Sequence, residues 1–233
     1  MKKRLVILTG AGMSAESGIA TFRDSDGLWE HYRVEDVATP EGFARDPQLV
    51  LDFYNQRRRE LLHTKPNAGH YGLAALEKDF DVRIITQNID NLHEQAGSSS
   101  VIHLHGELMK ACPVGDTTTT YDLNPENPDI HLGDKDPQGR QLRPFIVWFG
   151  EAVPMIEPAI EEVEKSDIFV IIGTSLNVYP AAGLLNYARR GQPLFLIDPK
   201  EVQTHRSDVH HILKGASEGV KELTQLLKQY HSQ

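Results

Sequence analysis

Short runs of apolar residues alternate along this chain with stretches in which apolar positions recur every three or four places. Residues 5–9 (Leu-Val-Ile-Leu-Thr), 82–86, 101–104, 145–149, 168–172 and 194–197 are of the first kind, rich in Val, Ile and Leu. Strands with little polar alternation are covered on both faces, the condition of a parallel sheet. Between these runs the pattern predicts helices. Asp46 and Pro47 supply an N-cap and a first-turn proline for a helix reaching residue 62, with Leu49, Val50, Phe53 and Leu61 near helical spacing. Asn67 caps a second helix toward residue 78, and 91–96 form a short one ended by Gly97. Residues 155–165 form another with an acidic outer face; Pro180 opens one that Gly191 closes, and Ser217 caps the last, running through 229. Strands alternating with helices predict an α/β fold: a Rossmann-like, doubly wound parallel sheet.

The alternation fails over 113–141, which is rich in Thr, Asp, Asn, Gly and Pro. So long a loop inside a compact domain is functional or mobile. Residues 107–143 are therefore taken as a small module inserted into one domain spanning 1–233. With 233 residues, 39% of them hydrophobic, the chain can bury one sizeable core. Its 24 basic and 33 acidic residues leave a net charge of −9, which argues against nonspecific nucleic-acid binding and suits lysine-bearing protein partners. The single cysteine, Cys112, excludes an intramolecular disulfide. No apolar run has the length of a membrane span, and the stretch behind Lys2-Lys3-Arg4 is shorter than a signal-peptide core. A cytoplasmic protein without a membrane partner is expected.

Candidate chemistry gathers where strands end. Gly10, Gly12 and Ala15 follow the first strand with the spacing G-x-G-x-x-G/A, which lets backbone N–H groups approach a pyrophosphate; the same spacing also serves plain chain reversal. Gln87, Asn88 and Asp90 follow the strand 82–86. Their amides and carboxylate suit ribose hydroxyls and a carboxamide, and Asp90 equally suits the cap of 91–96. Gly173-Thr174-Ser175, after the strand 168–172, fits a phosphate or ribose contact or an ordinary turn. His105 stands at a strand end before a glycine, with an imidazole poised near neutrality for proton abstraction. His103 shares its strand face and His93 lies nearby, so periodicity alone leaves the choice open. On the helix 46–62, Tyr54 and Arg57 share a face, where a phenol and a guanidinium can hold a carboxylate by charge-assisted hydrogen bonds. Arg57 lies four residues from both Phe53 and Leu61, so it is expected to point inward rather than Arg58 or Arg59.

Ser14-Ala15-Glu16-Ser17-Gly18-Ile19, followed by Thr21-Phe22-Arg23 and Gly27-Leu28-Trp29, resembles the cofactor-binding loop of the sirtuins, NAD-dependent protein lysine deacylases. Three further signatures follow in family order: Thr86-Gln87-Asn88-Ile89-Asp90-Asn91-Leu92-His93, Leu104-His105-Gly106-Glu107-Leu108, and Gly173-Thr174-Ser175 with Val178-Tyr179-Pro180-Ala181-Ala182-Gly183. The resemblance covers nearly the whole chain. It implies NAD, consumed as a co-substrate and bound by Gly10, Ala11, Gly12, Ser14, Ala15, Glu16, Thr21, Phe22, Arg23, Trp29, Gln87, Ile89, Gly173, Thr174 and Ser175. Asn88 would orient the ribose and Asp90 the nicotinamide carboxamide. Asp198 stands where relatives carry Asn-Leu-Glu and would accept from the adenine ribose, with Ala216 lining the adenine pocket. Phe22 and Arg23 would belong to a mobile loop closing over the cofactor. The Leu-His-Gly match singles out His105 as base and leaves His103 structural.

The resemblance also implies an acylated-lysine protein or peptide as substrate. Its backbone would pair with Val147-Trp148-Phe149-Gly150-Glu151, a segment whose apolar content alone reads as core strand. Members with Tyr-x-x-Arg, here Tyr54 and Arg57, prefer succinyl- and malonyl-lysine, and Ala38 leaves room beside them. The resemblance implies that the acyl oxygen attacks C1′ and nicotinamide leaves, that His105 deprotonates a ribose hydroxyl, which attacks the alkylamidate carbon, and that water completes release of the lysine and 2′-O-acyl-ADP-ribose. Most sirtuins hold zinc in the small module on two pairs of cysteines. This chain has only Cys112 there, and Gly133-Asp134-Lys135-Asp136 stands where the second pair belongs. Cys112, His131 and the two aspartates read as loop surface rather than a four-ligand set, so no zinc is expected. Three rival readings stay open: an NAD(P) dehydrogenase, a mono-ADP-ribosyltransferase and a non-enzymatic NAD-binding module.

Overall fold

Nine strands and seven α-helices are found among residues 2–20 and 32–230, the part of the chain that the computed structural model describes. The strands are β1 (Arg4–Thr9), β2 (Asp81–Thr86), β3 (Val101–His103), β4 (Gly106–Pro113), β5 (Tyr121–Asp122), β6 (Leu142–Ile146), β7 (Ile168–Ile172), β8 (Leu194–Ile197) and β9 (His210–Ile212). The helices are α1 (Val34–Val37), α2 (Pro40–Arg45), α3 (Pro47–Leu61), α4 (Ala68–Ala75), α5 (Leu92–Gln95), α6 (Ile156–Glu164) and α7 (Ala216–Leu227). Six strands form one sheet in the order β3-β2-β1-β7-β8-β9, all paired in parallel. This is the Rossmann-like α/β arrangement. The chain leaves β1 toward β2 and β3 and later returns to its other side with β7, so the switch point lies between β1 and β7.

Alternation along the strands feeds two cores. Leu5 and Ile7 join Ile84 and Val170 on one face, against Leu73 of α4 and Val220 and Leu223 of α7. Val6 and Leu8 join Ile85, Phe169 and Ile171 on the other, against Ala159 and Val163 of α6. Neither face meets water, which is why these strands read as apolar throughout. A third cluster packs α1, α2 and α3 against the smaller antiparallel sheet β5-β4-β6, through residues such as Val37, Phe53, Leu108, Ile146 and Trp148.

The helix signals at 46–47 and 67 hold. Asp46 Oδ1 accepts from Leu49 N at 3.0 Å. Asn67 Oδ1 accepts from Gly69 N, and His70 closes a capping box. Replacing Asp46 with alanine is expected to cost about 1 kcal/mol in urea unfolding, with acyl-peptide turnover unchanged, since only this cap is lost.

Four expectations are corrected. The run 145–149 is strand only in its first two residues: β6 spans Leu142–Ile146, and the chain turns over Val147 to Gly150, with Gly150 at φ +92°. The segment opened by Pro180 is a 3₁₀ stretch, Ala181–Tyr187, and Gly191 lies beyond its end. Its buried pairs, Ala181 with Leu184 and Ala182 with Leu185, are three apart, the repeat of a 3₁₀ turn. Ser217 lies inside α7, whose N-cap is Gly215; the Ser217 N–H is met by Glu16 Oε1 at 3.2 Å. The segment 113–141 is not wholly loop, since it contributes β5 and a bridge between Lys135 and Gln141. Among the described residues no helix is long and apolar enough to cross a membrane.

Candidate active site

Two loops meet above the switch point. Gly10 N donates to Ile172 O and Gly12 N to Gly173 O, both at 2.9 Å. A Cβ on Gly12 would lie 2.6 Å from Gly173 Cα, and one on Gly173 2.4 Å from Met13 N. Gly173 also sits at φ +64°, where a side chain is strained. The glycine spacing thus lets two strand-end loops interlock, a demand separate from any approach to phosphate. Beyond Ala11 the chain turns so that Ser14 is buried while Ala15 and Glu16 are exposed. The Glu16 carboxylate sits at the positive end of α7, beside Ala216, which is 4% exposed. Asp198 follows β8, is buried, and accepts from Lys200 N at 2.9 Å. Ser175 is half-buried after Thr174. Thr21, Phe22, Arg23 and Trp29 lie outside the described residues.

Ser14, Asn88 and Asp90 form one polar cluster. Ser14 Oγ donates to Asp90 Oδ2 at 2.9 Å and accepts from Asn88 Nδ2 at 3.1 Å. Asp90 Oδ1 accepts from Leu92 N, so the carboxylate also serves the start of α5. Burial pushes the Asp90 carboxyl above its ordinary range. Behind the cluster stands His70, which the sequence reading did not single out. Its Nδ1 accepts from Asn67 N, so the neutral ring carries its proton on Nε2, 3.5 Å from Ser14 Oγ. Burial lowers its pKa to about 4 and keeps it neutral. His93 is likewise buried, with Nε2 3.2 Å from Thr9 Oγ1. A histidine three residues after an N-cap asparagine was the available signal for His70.

Gln87 Nε2 donates to Thr174 Oγ1 at 3.2 Å, joining the ends of β2 and β7. Ile89 turns its side chain toward the third core and its carbonyl to Leu108 N. His105 Nδ1 lies 3.0 Å from Gln87 O. That bond puts the neutral ring's proton on Nδ1 and leaves Nε2 with a lone pair. Burial lowers the His105 pKa below 6.5, so the ring is a neutral base at pH 7. His103 differs: it pairs with Glu94 at 2.7 Å.

Tyr54 and Arg57, the pair expected to meet the acyl group, stand on α3. Tyr54 is 3% exposed, and its hydroxyl accepts from Trp148 Nε1 at 3.1 Å. Burial raises its pKa to about 12, so the phenol keeps its proton to donate. Arg57 is half-buried, with its guanidinium carbon 3.5 Å from the centre of the Phe53 ring and Nη1 donating to Phe53 O. Its Nε is buried without a hydrogen-bond partner among the described residues. The expectation that Arg57 rather than Arg58 points inward is corrected: Arg58 is fully buried, with Nε donating to Pro128 O and Nη2 to Asn55 Oδ1. The face that carries Arg58 is covered by 128–130, a segment far away in sequence, which helical periodicity alone does not reveal. Arg59 is more exposed and pairs with Asp129.

Ala38 is buried, and its carbonyl accepts from Phe149 N at 3.0 Å. Val147 N donates to His105 O at 2.9 Å, so the turn 147–150 links the backbone of His105 to that of Ala38. Phe149 is 54% exposed. Glu151 is spent on the turn itself, accepting from Trp148 N at 2.8 Å and pairing with Arg143. Cys112 is buried, with Sγ 3.8 Å from Pro144 O; Asp134 accepts from His131 N and Asp136 pairs with Arg140. Among the described residues no three His, Cys, Asp or Glu side chains converge as a metal-binding group.

Comparison with known proteins agrees with this geometry. The model of the Sir2 family matches residues 10–180. An NAD-dependent protein deacylase of Bacteroides thetaiotaomicron is 65% identical over 229 residues, which cover 97% of this chain and 98% of that protein. One of Helicobacter pylori is 53% identical over 203 residues, 87% of each chain. The solved structure of a Sir2 homologue in complex with NAD superposes with a TM-score of 0.87 at 39% identity, covering 99% of this chain and 91% of the other.

Proposed function

Because this chain belongs to the Sir2 family and is an NAD-dependent protein-lysine deacylase, we propose that it acts best on succinyl- and malonyl-lysine, with weaker deacetylation. The observation that carries the proposal is the pair on α3. Tyr54 keeps a phenolic proton, and Arg57 keeps a buried Nε without a partner among the described residues. A carboxylate on the acyl group supplies what both groups lack, and small Ala38 leaves it space.

The donor set fits NAD. Ser14, Gln87, Asn88, Asp90 and Thr174 converge at the ends of β1, β2 and β7, and amides, hydroxyls and one carboxylate suit ribose hydroxyls and a carboxamide. Ala11, Ala15 and Gly10 to Gly12 offer backbone to the phosphates; Asp198 and Ala216 serve the adenosine end. Thr21, Phe22, Arg23 and Trp29 are read as further contacts. When bound, NAD supplies an electrophilic ribose carbon and a ribose hydroxyl that accepts the acyl group. Asn88 and Asp90 orient ribose and carboxamide. His105 takes the hydroxyl proton on Nε2, and the Gln87 carbonyl stabilises the ring as it becomes charged. Val147, Phe149 and Gly150 line the peptide's path, while Glu151 holds the turn. With one water consumed in releasing the lysine, the products are nicotinamide, the freed lysine and 2′-O-acyl-ADP-ribose. The sheet β5-β4-β6 is read as the zinc-free small module, 107–143, within one catalytic domain.

The test compares kcat/KM on one peptide bearing acetyl-, malonyl-, succinyl- or glutaryl-lysine. Malonyl and succinyl are expected to exceed acetyl by about ten-fold or more, the value of one charge-assisted contact. Equal values for charged and neutral acyl groups would overturn the preference.

A further inference from the structure

The turn that carries Asn88 is held in an unusual way. Hydrogen bonding between β2 and β3 continues past both strand ends: Leu104 N donates to Thr86 O at 2.9 Å and Leu108 N to Ile89 O at 2.8 Å. The two carbonyls between are met by imidazoles. His105 Nδ1 lies 3.0 Å from Gln87 O, and His103 Nδ1 lies 3.3 Å from Asn88 O. Four successive carbonyls are thus taken by the segment 103–108. His105 has a task in the reaction; His103 has none so far. Its other nitrogen is 2.7 Å from Glu94 Oε1 on α5, and its side chain is only 8% exposed. With an acceptor at each nitrogen, only the charged ring can donate to both.

We propose that His103 is a positioning residue for this reaction: as an imidazolium clamped between Glu94 and the Asn88 carbonyl, it holds the 87–88 turn, so that the Asn88 amide and the His105 ring keep their aim. The proposal rests on the roles given above to Asn88 and His105. The charged or titratable groups around His103 are Glu94 and His93 on α5, Asp90 before it, and Glu107 and Lys110 on β4. Burial opposes the charged ring, but the Glu94 hydrogen bond and the charges of Glu94 and Glu107 outweigh it, so the pKa lies above 6.5. When the proton leaves, the shorter bond to the carboxylate keeps Nε2–H, and the Asn88 carbonyl is released. His103 and His105, two residues apart, then act oppositely. Activity rises as His105 loses its proton and falls as His103 loses its own.

The test starts with histidine proton resonances of the full chain, without ligand. The His103 signal, identified by its absence in His103→Gln, is expected to titrate above 6.5 and to move down in Glu94→Gln. The pH profile of kcat is then taken with saturating NAD and a succinylated peptide. Wild type is expected to lose activity on the alkaline side at the His103 midpoint, and Glu94→Gln to shift that limb to lower pH. His103→Gln, whose amide donates to Asn88 at every pH but gives up the bond to Glu94, is expected to lack the limb and to turn over about three- to ten-fold more slowly, as for that one lost hydrogen bond. A limb unmoved in both variants, or a His103 midpoint at or below 6.5, overturns the clamp. Absence of any deacylation by wild type overturns the underlying reading instead, while the resonance titration still decides the clamp.

Discussion

A His105→Tyr protein is expected to lose about 10²- to 10⁴-fold in kcat, the usual contribution of a positioned general base. A phenol titrates near 10 and cannot accept a proton at neutral pH as a lowered-pKa imidazole does. The loss is expected in kcat rather than in NAD affinity, because the groups read as holding the cofactor lie in the loops after β1, β2 and β7 and their side-chain bonds to one another do not involve the His105 ring, which touches the backbone carbonyl of Gln87. Single-turnover assays beside calorimetric NAD titration separate the two. The sign of the pH dependence follows from the same geometry. Wild-type kcat climbs as pH rises through the His105 pKa, below 6.5, and the residual rate of the variant carries no such limb. Near-normal turnover in the variant would remove His105 from the reaction.

Arg57→Met is expected to lower kcat/KM for succinyl-lysine by about 10- to 100-fold, which corresponds to roughly 1.5–3 kcal/mol for a hydrogen bond to a charged group. Acetyl-lysine is expected to stay within about two-fold, since it offers no carboxylate to pair. Methionine is the useful substitution because a flexible apolar chain retains contact with the Phe53 ring, where the guanidinium now lies. Arg58→Met is the contrasting variant. Its guanidinium holds Pro128 O and Asn55 Oδ1 inside the protein, so its loss is expected to lower the melting temperature and to reduce both acyl activities together. Equal losses on both acyl groups in Arg57→Met would remove that arginine from substrate discrimination.

Much of the fold was legible because the strands are doubly covered. Ile168–Ile172 and Leu194–Ile197 were recovered to the residue, since a run apolar on both faces has few alternatives. The strand β9, His210–Ile212, was missed because its exposed edge carries two histidines and offers no apolar run. The run 145–149 overran its strand, which ends at Ile146, for the opposite reason. Trp148 and its neighbours are apolar, yet Gly150 and the Glu151 carboxylate close a turn there. Placement was legible where a side chain follows a strand end, as with His105, Asn88 and Asp90. It was not legible where the partner is distant in sequence. Nothing local says that Arg58 meets Pro128, that Glu16 meets Ser217, or that His103 completes a row of carbonyl contacts. The glycines show a subtler limit: their spacing was correct, but part of its cause is the grip of Gly12 on Gly173.

The most direct measurement of the central claim is the product balance of one reaction with NAD and a succinyl-lysine peptide, read by mass spectrometry. Equal amounts of nicotinamide, free-lysine peptide and succinylated ADP-ribose are predicted, none of them formed when the peptide lacks its acyl group. ADP-ribose found on protein or peptide, or nicotinamide release indifferent to the acyl-lysine, would contradict the account.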